Sequence, residues 1–215
     1  MAATLYVGNR NYSSWSMRGS LIVRHSGLAC EEVVIPLDTA EGRAKLREIS
    51  PTHRVPVLHH EGFVVWDSLA IAEYLHERFP GSGLWPQDPR ARARARSISA
   101  EMHSGFAALR ERMPLDVRAV HRVDSIDRGV REDVSRIERI FVECREQFGA
   151  GGDYLFGAWS AADAMFAPVV SRFRTYGVEL SGPAEGYAEA AWQWPGLKSL
   201  VAEAAAEPWE IDLDI

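Results

Sequence analysis

Cysteine is scarce in this sequence. Cys30 and Cys144, alone in 215 residues, cannot build a disulfide framework or a cysteine-rich metal site. Positive charge is not in excess either: 24 Lys plus Arg against 30 Asp plus Glu leave a formal charge of 24 − 30 = −6. Nucleic acid, which needs a basic face, is therefore not an expected partner. No apolar run approaches a membrane span, and the opening MAATLYVGNR lacks the cationic-then-apolar order of a secretion signal. The expectation is a cytoplasmic protein without a membrane partner. A phosphate-cradling glycine loop and paired catalytic carboxylates are also missing. The seven histidines show no ligand spacing, and His59 and His60, adjacent on a strand, point to opposite faces. No metal is expected. The 47% apolar and 25% charged content is that of an ordinary globular chain, long enough for one domain or two modest ones.

Residues 4–8 (TLYVG) and 31–37 (EEVVIPL) read as strands. Between them SSWSMRGSLIVRHSG has helical length, begins with two serines able to cap and stops at Gly27. Residues 40–49 suit a helix. PVLHH and FVVW flank Glu61-Gly62, a two-residue hairpin turn, and a helix follows over 67–79. The order β-α-β-α-β-β-α predicts an α/β unit with a parallel pair and a hairpin. Pro80-Gly81-Ser82-Gly83 ends it, and from Asp88 onward only helical patterns appear. One helix is expected over 88–113, with Asp88-Pro89 at its start and Met102, Phe106, Leu109 and Met113 on one stripe. Others are expected over 127–148, from Ser160, and over 184–193 and 195–206. The chain thus divides into an α/β domain over 1–80, a linker over 81–87 and an all-helical domain over 88–215. Residues 115–127, charged and irregular, are either a lid or a connection. Arg90, Arg92, Arg94 and Arg96 alternate between two sides of a helix and read as solvated or subunit-contact surface.

Three segments carry chemistry. In Tyr12-Ser13-Ser14-Trp15-Ser16-Met17-Arg18 the serine hydroxyls stand at a helix N-terminus, where backbone N–H groups and the helix dipole favour an anion. A hydroxyl there can donate to a thiolate and lower a thiol's pKa, roughly 8.5 when free, by about one unit or more. Taken alone, Ser13 or Ser14 is a helix cap. In Arg54-Val55-Pro56-Val57-Leu58 the proline belongs at a strand start. A cis Val55–Pro56 bond would turn the Val55 backbone outward to pair with an extended ligand, although the sequence alone favours trans. In Trp66-Asp67-Ser68 a strand meets a helix. The Asp67 carboxylate suits an ammonium and the Ser68 hydroxyl and N–H suit a carboxylate, with capping as the plainer role.

Together these segments resemble the glutathione transferase family over nearly the whole chain. SSWSMR resembles the SSCS-type signature of the zeta class, with Trp15 in place of cysteine. RVPVL is similar to the strand that carries the family's cis-proline, and DSLAIAEYL to its motif for the γ-glutamyl end of glutathione. Ser160-Ala161-Ala162-Asp163 is similar to its buried capping box. The resemblance implies an α/β thioredoxin-like N-terminal domain, an all-α C-terminal domain, glutathione as co-substrate, a homodimer and transfer of the glutathione thiol to a small electrophile. It implies Ser13 as the activating hydroxyl, with Tyr6 and Tyr12 as alternatives. Ser14 and Trp15 would line the same loop, and His53, Arg54, Val55, Asp67 and Ser68 would contact glutathione. An electrophile pocket between the domains would draw on Tyr12, Arg174 and the face shared by His103, Phe106 and Arg110. Two other activities stay open: a glutathione-dependent cis–trans isomerase resembling maleylacetoacetate isomerase, and a non-catalytic binding module. Neither cysteine stands at the activating position, which argues against disulfide exchange.

Overall fold

The computed structural model describes residues 3–123 and 125–213. β1 (Ala3–Gly8) lies inside a four-stranded sheet of order β2-β1-β3-β4. It runs parallel to β2 (Cys30–Ile35) and antiparallel to β3 (Val57–His60), which pairs with β4 (Phe63–Trp66). The parallel pair is joined through α1 (Ser14–Ser26), since parallel neighbours need a crossover. α2 (Ala40–Ile49) leads from β2 to β3, and α3 (Ser68–Arg78) follows the hairpin. Glu61 and Gly62 both have positive φ, 52° and 80°, as a two-residue turn between twisted strands requires.

Alternation along the strands sorts two cores. Leu5, Val7 and Leu58 pack with Met17, Leu21 and Ile22 of α1 and Ile71 and Leu75 of α3. Val57 turns the other way, to Ile35, Leu46 and Ile49 beneath α2, where Tyr6 also packs. Each such aliphatic side chain contributes about 1.5–3 kcal/mol on burial. A one-residue slip of β3 would exchange the two sets, so its register is fixed by both faces. Gly19 lets α1 lie against the start of β3, because a Cβ there would stand 2.6 Å from Pro56 Cβ.

A single 3-10 turn (Pro80–Ser82) precedes the helical half. This comprises α4 (Pro89–Ser104), α5 (Ala107–Arg112), α6 (Arg128–Phe148), α7 (Ala161–Tyr176), α8 (Gly182–Gln193) and α9 (Pro195–Ala205). α7 is buried on nearly every side and packs against α1, α4 and α8. The expected capping box starts it: the Ser160 N–H and hydroxyl both donate to Asp163 Oδ2 at 2.8 Å, and the Leu155 N–H reaches Oδ1 at 3.1 Å. Burial pushes the Asp163 carboxyl up to about 6 against the pull of these donors.

The helix expected over 88–113 breaks at Gly105, whose N–H closes on the Glu101 carbonyl, and Phe106 takes φ 59°. Met102, Phe106, Leu109 and Met113 stay buried across the break, so the stripe survives while the backbone turns. The arginines of α4 diverge as expected: Arg94 reaches Glu143 on α6 and Arg96 reaches Glu73 on α3. The irregular segment after α5 is tied down by Val117 N–H to Asn11 O (3.2 Å) and His121 N–H to Thr175 O (2.7 Å). Residue 124, in that segment, and residues 1, 2, 214 and 215, at the ends of the expected domains, lie outside the described residues. Burial pushes the Cys30 thiol up to about 11 and the Cys144 thiol to about 12, leaving both un-ionised at neutral pH. No described helix is long and apolar enough to cross a membrane.

Candidate active site

A cavity of about 610 Å³ opens beside the starts of α1, α3 and β3, with α4 on its far side. Asp67 and Ser68 form its α3 edge. Asp67 Oδ1 caps the helix through the Leu69 and Ala70 N–H groups (2.8 and 3.4 Å), which leaves the Ser68 N–H uncapped by that carboxylate. Its Oδ2 faces His103 Nε2 of α4 at 3.2 Å. Asp67 holds φ 77°, a costly conformation for a side-chain-bearing residue and one that clusters at functional sites. The Ser68 hydroxyl is fully buried and donates to Met165 Sδ at 3.9 Å.

Arg54, Val55 and Pro56 form a second edge, and the Val55–Pro56 bond is cis. The ladder begins only at Val57, so the Val55 N–H and C=O lie outside the sheet's pairing. Ser50 fixes this turn: its hydroxyl donates to the Arg54 carbonyl (2.8 Å) and its oxygen accepts the Arg54 N–H (3.2 Å).

The start of α1 forms the third edge through Trp15. Ser13 is its N-cap. Ser13 Oγ accepts the Ser16 N–H (3.2 Å) and donates to Ser16 Oγ (2.8 Å), which in turn accepts the Gly8 N–H at 2.7 Å. The Ser13 hydroxyl is therefore committed to the helix rather than directed into the cavity, whose lining includes Trp15 and not Ser13.

Two guanidinium groups lie against the Trp15 ring, Arg18 at 4.8 Å and Arg110 at 5.0 Å from its centroid, with the His103 ring edge-on at 4.9 Å. Arg18 is fully buried. Its Nε donates to the Met165 carbonyl at 2.9 Å, while Nη1 and Nη2 have no partner among the described residues. Burial, with Arg110 and Arg172 nearby, holds the Arg18 pKa well below its ordinary value, and Asp67 opposes the shift. Burial also brings Arg172 down to about 10. Arg110 and Arg172 are bonded to backbone carbonyls: Met102, His103 and Gly105 for the first, Met113 and Pro168 for the second. A cationic cluster thus stands behind the Trp15 wall with little carboxylate compensation.

Residues 12–78 match the glutathione S-transferase N-terminal domain family, and residues 88–206 match its C-terminal domain family. The chain belongs to the glutathione S-transferase family. Maleylacetoacetate isomerase of Rattus norvegicus is 30% identical over 181 residues, covering 82% of this chain and 81% of that protein. A Burkholderia glutathione transferase homologue, solved with bound glutathione, is 26% identical and superposes with a TM-score of 0.72 over 96% of this chain and all of that one. A bacterial zeta-class maleyl pyruvate isomerase shares the fold at a TM-score of 0.72 and 22% identity, covering 95% and 98% of the two chains.

This member of the glutathione S-transferase family brings Trp15, Arg54, Val55, Asp67, Ser68 and His103 together at one cavity. Several expected residues stand elsewhere. His53 is exposed at φ 58° in the turn before β3 and does not line the cavity. Ser14 is buried in the first turn of α1. Phe106 is in the core, with positive φ just after the break at Gly105, and does not line the cavity. Arg174 lies away from this cavity: it pairs with Glu189 (2.9 Å), lies over Trp192 and lines a separate pocket between α7 and α8. Tyr12 is turned from the cavity, its hydroxyl accepting from Arg118 (3.0 Å) and the Ile211 N–H (3.2 Å). Tyr6 packs edge-on against His59. Arg110, expected at the electrophile pocket, does stand over Trp15, whereas Thr52, Trp66, Arg18 and Arg172 are contributors that sequence reasoning missed. Of these four, only Arg18, inside an otherwise apolar helix, left a trace in the sequence.

Proposed function

We propose that glutathione lies along this cavity, with its cysteinyl backbone against Val55, its γ-glutamyl end against Asp67 and Ser68, and its sulfur near Ser13. The single observation carrying this reading is the convergence of Val55, Asp67, Ser68 and the α1 start on one cavity. The three edges offer unpaired strand backbone, an acid with a helix N–H, and a dipole favouring an anion. Arg54 adds a cation at the β3 edge.

Ser13 activates the thiol by donating a hydrogen bond, not by removing its proton. Rotation of two hydroxyl hydrogens frees this donor: Ser16 donates to Ser13 Oγ, and the Ser13 hydrogen turns outward toward a sulfur seated at the α1 start. The Gly8 N–H, bonded to Ser16 Oγ, polarises this chain. The thiol proton leaves to solvent. The thiolate then forms a carbon–sulfur bond as the electrophile's leaving group departs with the bonding pair.

Calorimetry at millimolar glutathione, with conjugation assays of Ser13→Ala, tests this. Binding should survive the substitution while turnover falls. No heat of binding to the parent protein would favour a non-catalytic module, and undiminished turnover in the variant would remove Ser13 from the mechanism.

The arginines behind Trp15 favour a second reading. Arg110, half-buried over Trp15 with the buried Arg18 and Arg172 adding positive potential behind it, suits an electrophile bearing carboxylates, such as the substrates named for the isomerase relatives. In an isomerase the thiolate adds to a double bond, the new single bond rotates, and elimination returns the sulfur. Free glutathione is then recovered, whereas conjugation consumes it. We further read the protein as a cytoplasmic homodimer. Phe63, 62% exposed beside Tyr74, supplies an apolar contact, and sedimentation at micromolar concentration tests the dimer.

A further inference from the structure

The loop bearing Ser13 is held by the far end of the chain. Between β1 and α1, the Arg10 N–H donates to Glu207 Oε1 at 3.0 Å and the Asn11 N–H to Glu207 Oε2 at 3.4 Å. One carboxylate thus binds two consecutive amides of the loop, nearly 200 residues away in sequence. Its side chain is only 6% exposed, and Arg10 Nη1 approaches it at 3.7 Å.

Arg118 secures the segment that carries Glu207. Its guanidinium donates to the Glu207 carbonyl (2.9 Å), the Trp209 carbonyl (2.8 Å) and the Tyr12 hydroxyl (3.0 Å). Its backbone N–H donates to Asn11 Oδ1 at 3.0 Å. Asn11 is fully buried, and its Nδ2 reaches Asp116 at 2.8 Å. These contacts converge two residues before Ser13, whose own N–H is held by the Asn9 carbonyl at 2.9 Å. None of them touches the cavity.

We propose that Glu207 is a positioning residue for the Ser13 hydroxyl, fixing the 9–13 turn through the Arg10 and Asn11 amides. This rests on Ser13 as the thiol-activating group. Two adjacent N–H groups aimed at one carboxylate form a charge-assisted pair that no neutral side chain reproduces. Without it the loop has lost an anchor on its outer side. The Ser13 oxygen then samples positions from which it cannot reach the sulfur, while Val55, Asp67 and Ser68, on other elements, keep their places.

The test compares Glu207→Ala, Glu207→Gln and Arg118→Met with the parent, using glutathione itself. Thiolate absorbance against pH should show the bound thiol's pKa raised by about one unit in Glu207→Ala, with the glutamine variant between it and the parent. Glutathione affinity should change less than about twofold, and kcat at pH below the thiol pKa should fall about tenfold. Arg118→Met, which frees the segment without altering the carboxylate, should move both quantities in the same direction. Hydrogen exchange should speed up at the Arg10 and Asn11 amides in all three. An unchanged thiol pKa in Glu207→Ala, or unchanged exchange at both amides, overturns the proposal, as does an equal loss of affinity and kcat. If the parent binds glutathione but forms no thiolate, it is the Ser13 reading that has failed, and the exchange data still report whether Glu207 holds the loop.

Discussion

Ser16 Oγ lies 2.8 Å from Ser13 Oγ and 2.7 Å from the Gly8 nitrogen, so one buried hydroxyl joins the end of β1 to the cap of α1. When the Ser13 hydrogen turns to a ligand, the Ser16 hydroxyl can turn to donate to Ser13 Oγ and strengthen it as a donor. Ser16→Ala removes that cooperative donor, so the bound thiol's pKa should rise and kcat/KM at neutral pH should fall about tenfold. Ser13→Ala, which removes the donor itself, should cost about a hundredfold. Ser16→Thr keeps the hydroxyl and should recover most of the loss. The alanine variant also strands the Gly8 N–H, so thermal unfolding must be followed beside the kinetics; about 1–3 kcal/mol of destabilisation is expected. Equal thiol pKa values in Ser16→Ala and the parent would show that Ser13 acts without its neighbour.

His103, reaching in from α4 on the far side of the cavity, meets Asp67. The helical residue expected in the electrophile pocket therefore stands at the proposed γ-glutamyl end. His103→Ala should raise the KM for glutathione about three- to tenfold, the worth of one polar contact, and leave the KM for the electrophile nearly unchanged. Steady-state kinetics with each substrate varied in turn separates the two. A change confined to the electrophile would return His103 to the pocket that the sequence suggested.

The element order was legible because local chemistry marks the boundaries. Gly27 at φ 78° ends α1, Asp88 caps α4, Asp127 caps α6 and Ser160 starts α7. The edges of the cavity were legible for the same reason, since Asp67-Ser68 and Ser13-Ser14 are helix starts as well as binding chemistry. What escaped depends on three-dimensional direction. Arg172 and Arg174 are two apart on α7, so one is buried and the other solvated, and no pattern says which side faces the cleft. The break at Phe106 was invisible because a buried aromatic on a helical stripe gives no sign that its own φ is positive. The cis geometry before Pro56 was not legible from the dipeptide, for which trans is the commoner state. The direction of the Ser13 hydroxyl is a rotamer choice, and sequence does not encode it directly.

Asp163 gives stability an unusual pH dependence. Its folded-state pKa, raised by burial to about 6, exceeds that of an exposed aspartate in the unfolded chain. Between about pH 4 and 6 the native state therefore holds the extra proton, and this residue's contribution to stability falls as pH rises. Carboxylates with depressed pKa values, such as Glu203 bonded to Arg24, act in the opposite sense at lower pH. Chemical denaturation from pH 4 to 7 should show the Asp163 term as a difference from Asp163→Asn, largest in that window. The asparagine variant will be less stable overall, because its amide nitrogen cannot accept the Ser160 donors. A parent-minus-variant difference that rises with pH through the window would contradict the assigned shift.

Arg18 and Arg110 lie against one indole but should respond differently to loss of charge. Arg18 is wholly buried with Nη1 and Nη2 unpartnered among the described residues, so its charge is held at a desolvation cost. Arg18→Met, of similar length, should be within about 1 kcal/mol of the parent in stability, or above it. Arg110 is half-buried and keeps contact with the cleft through Trp15. Arg110→Met should lower kcat/KM about tenfold or more for an electrophile carrying a carboxylate, and little for a neutral aryl halide of similar size. Arg110→Lys, which keeps charge without the planar fork, should fall between them. The ratio of the two kcat/KM values cancels any shared loss of folded enzyme. If that ratio does not move, the cluster behind Trp15 is structural and the acidic-electrophile reading loses its support.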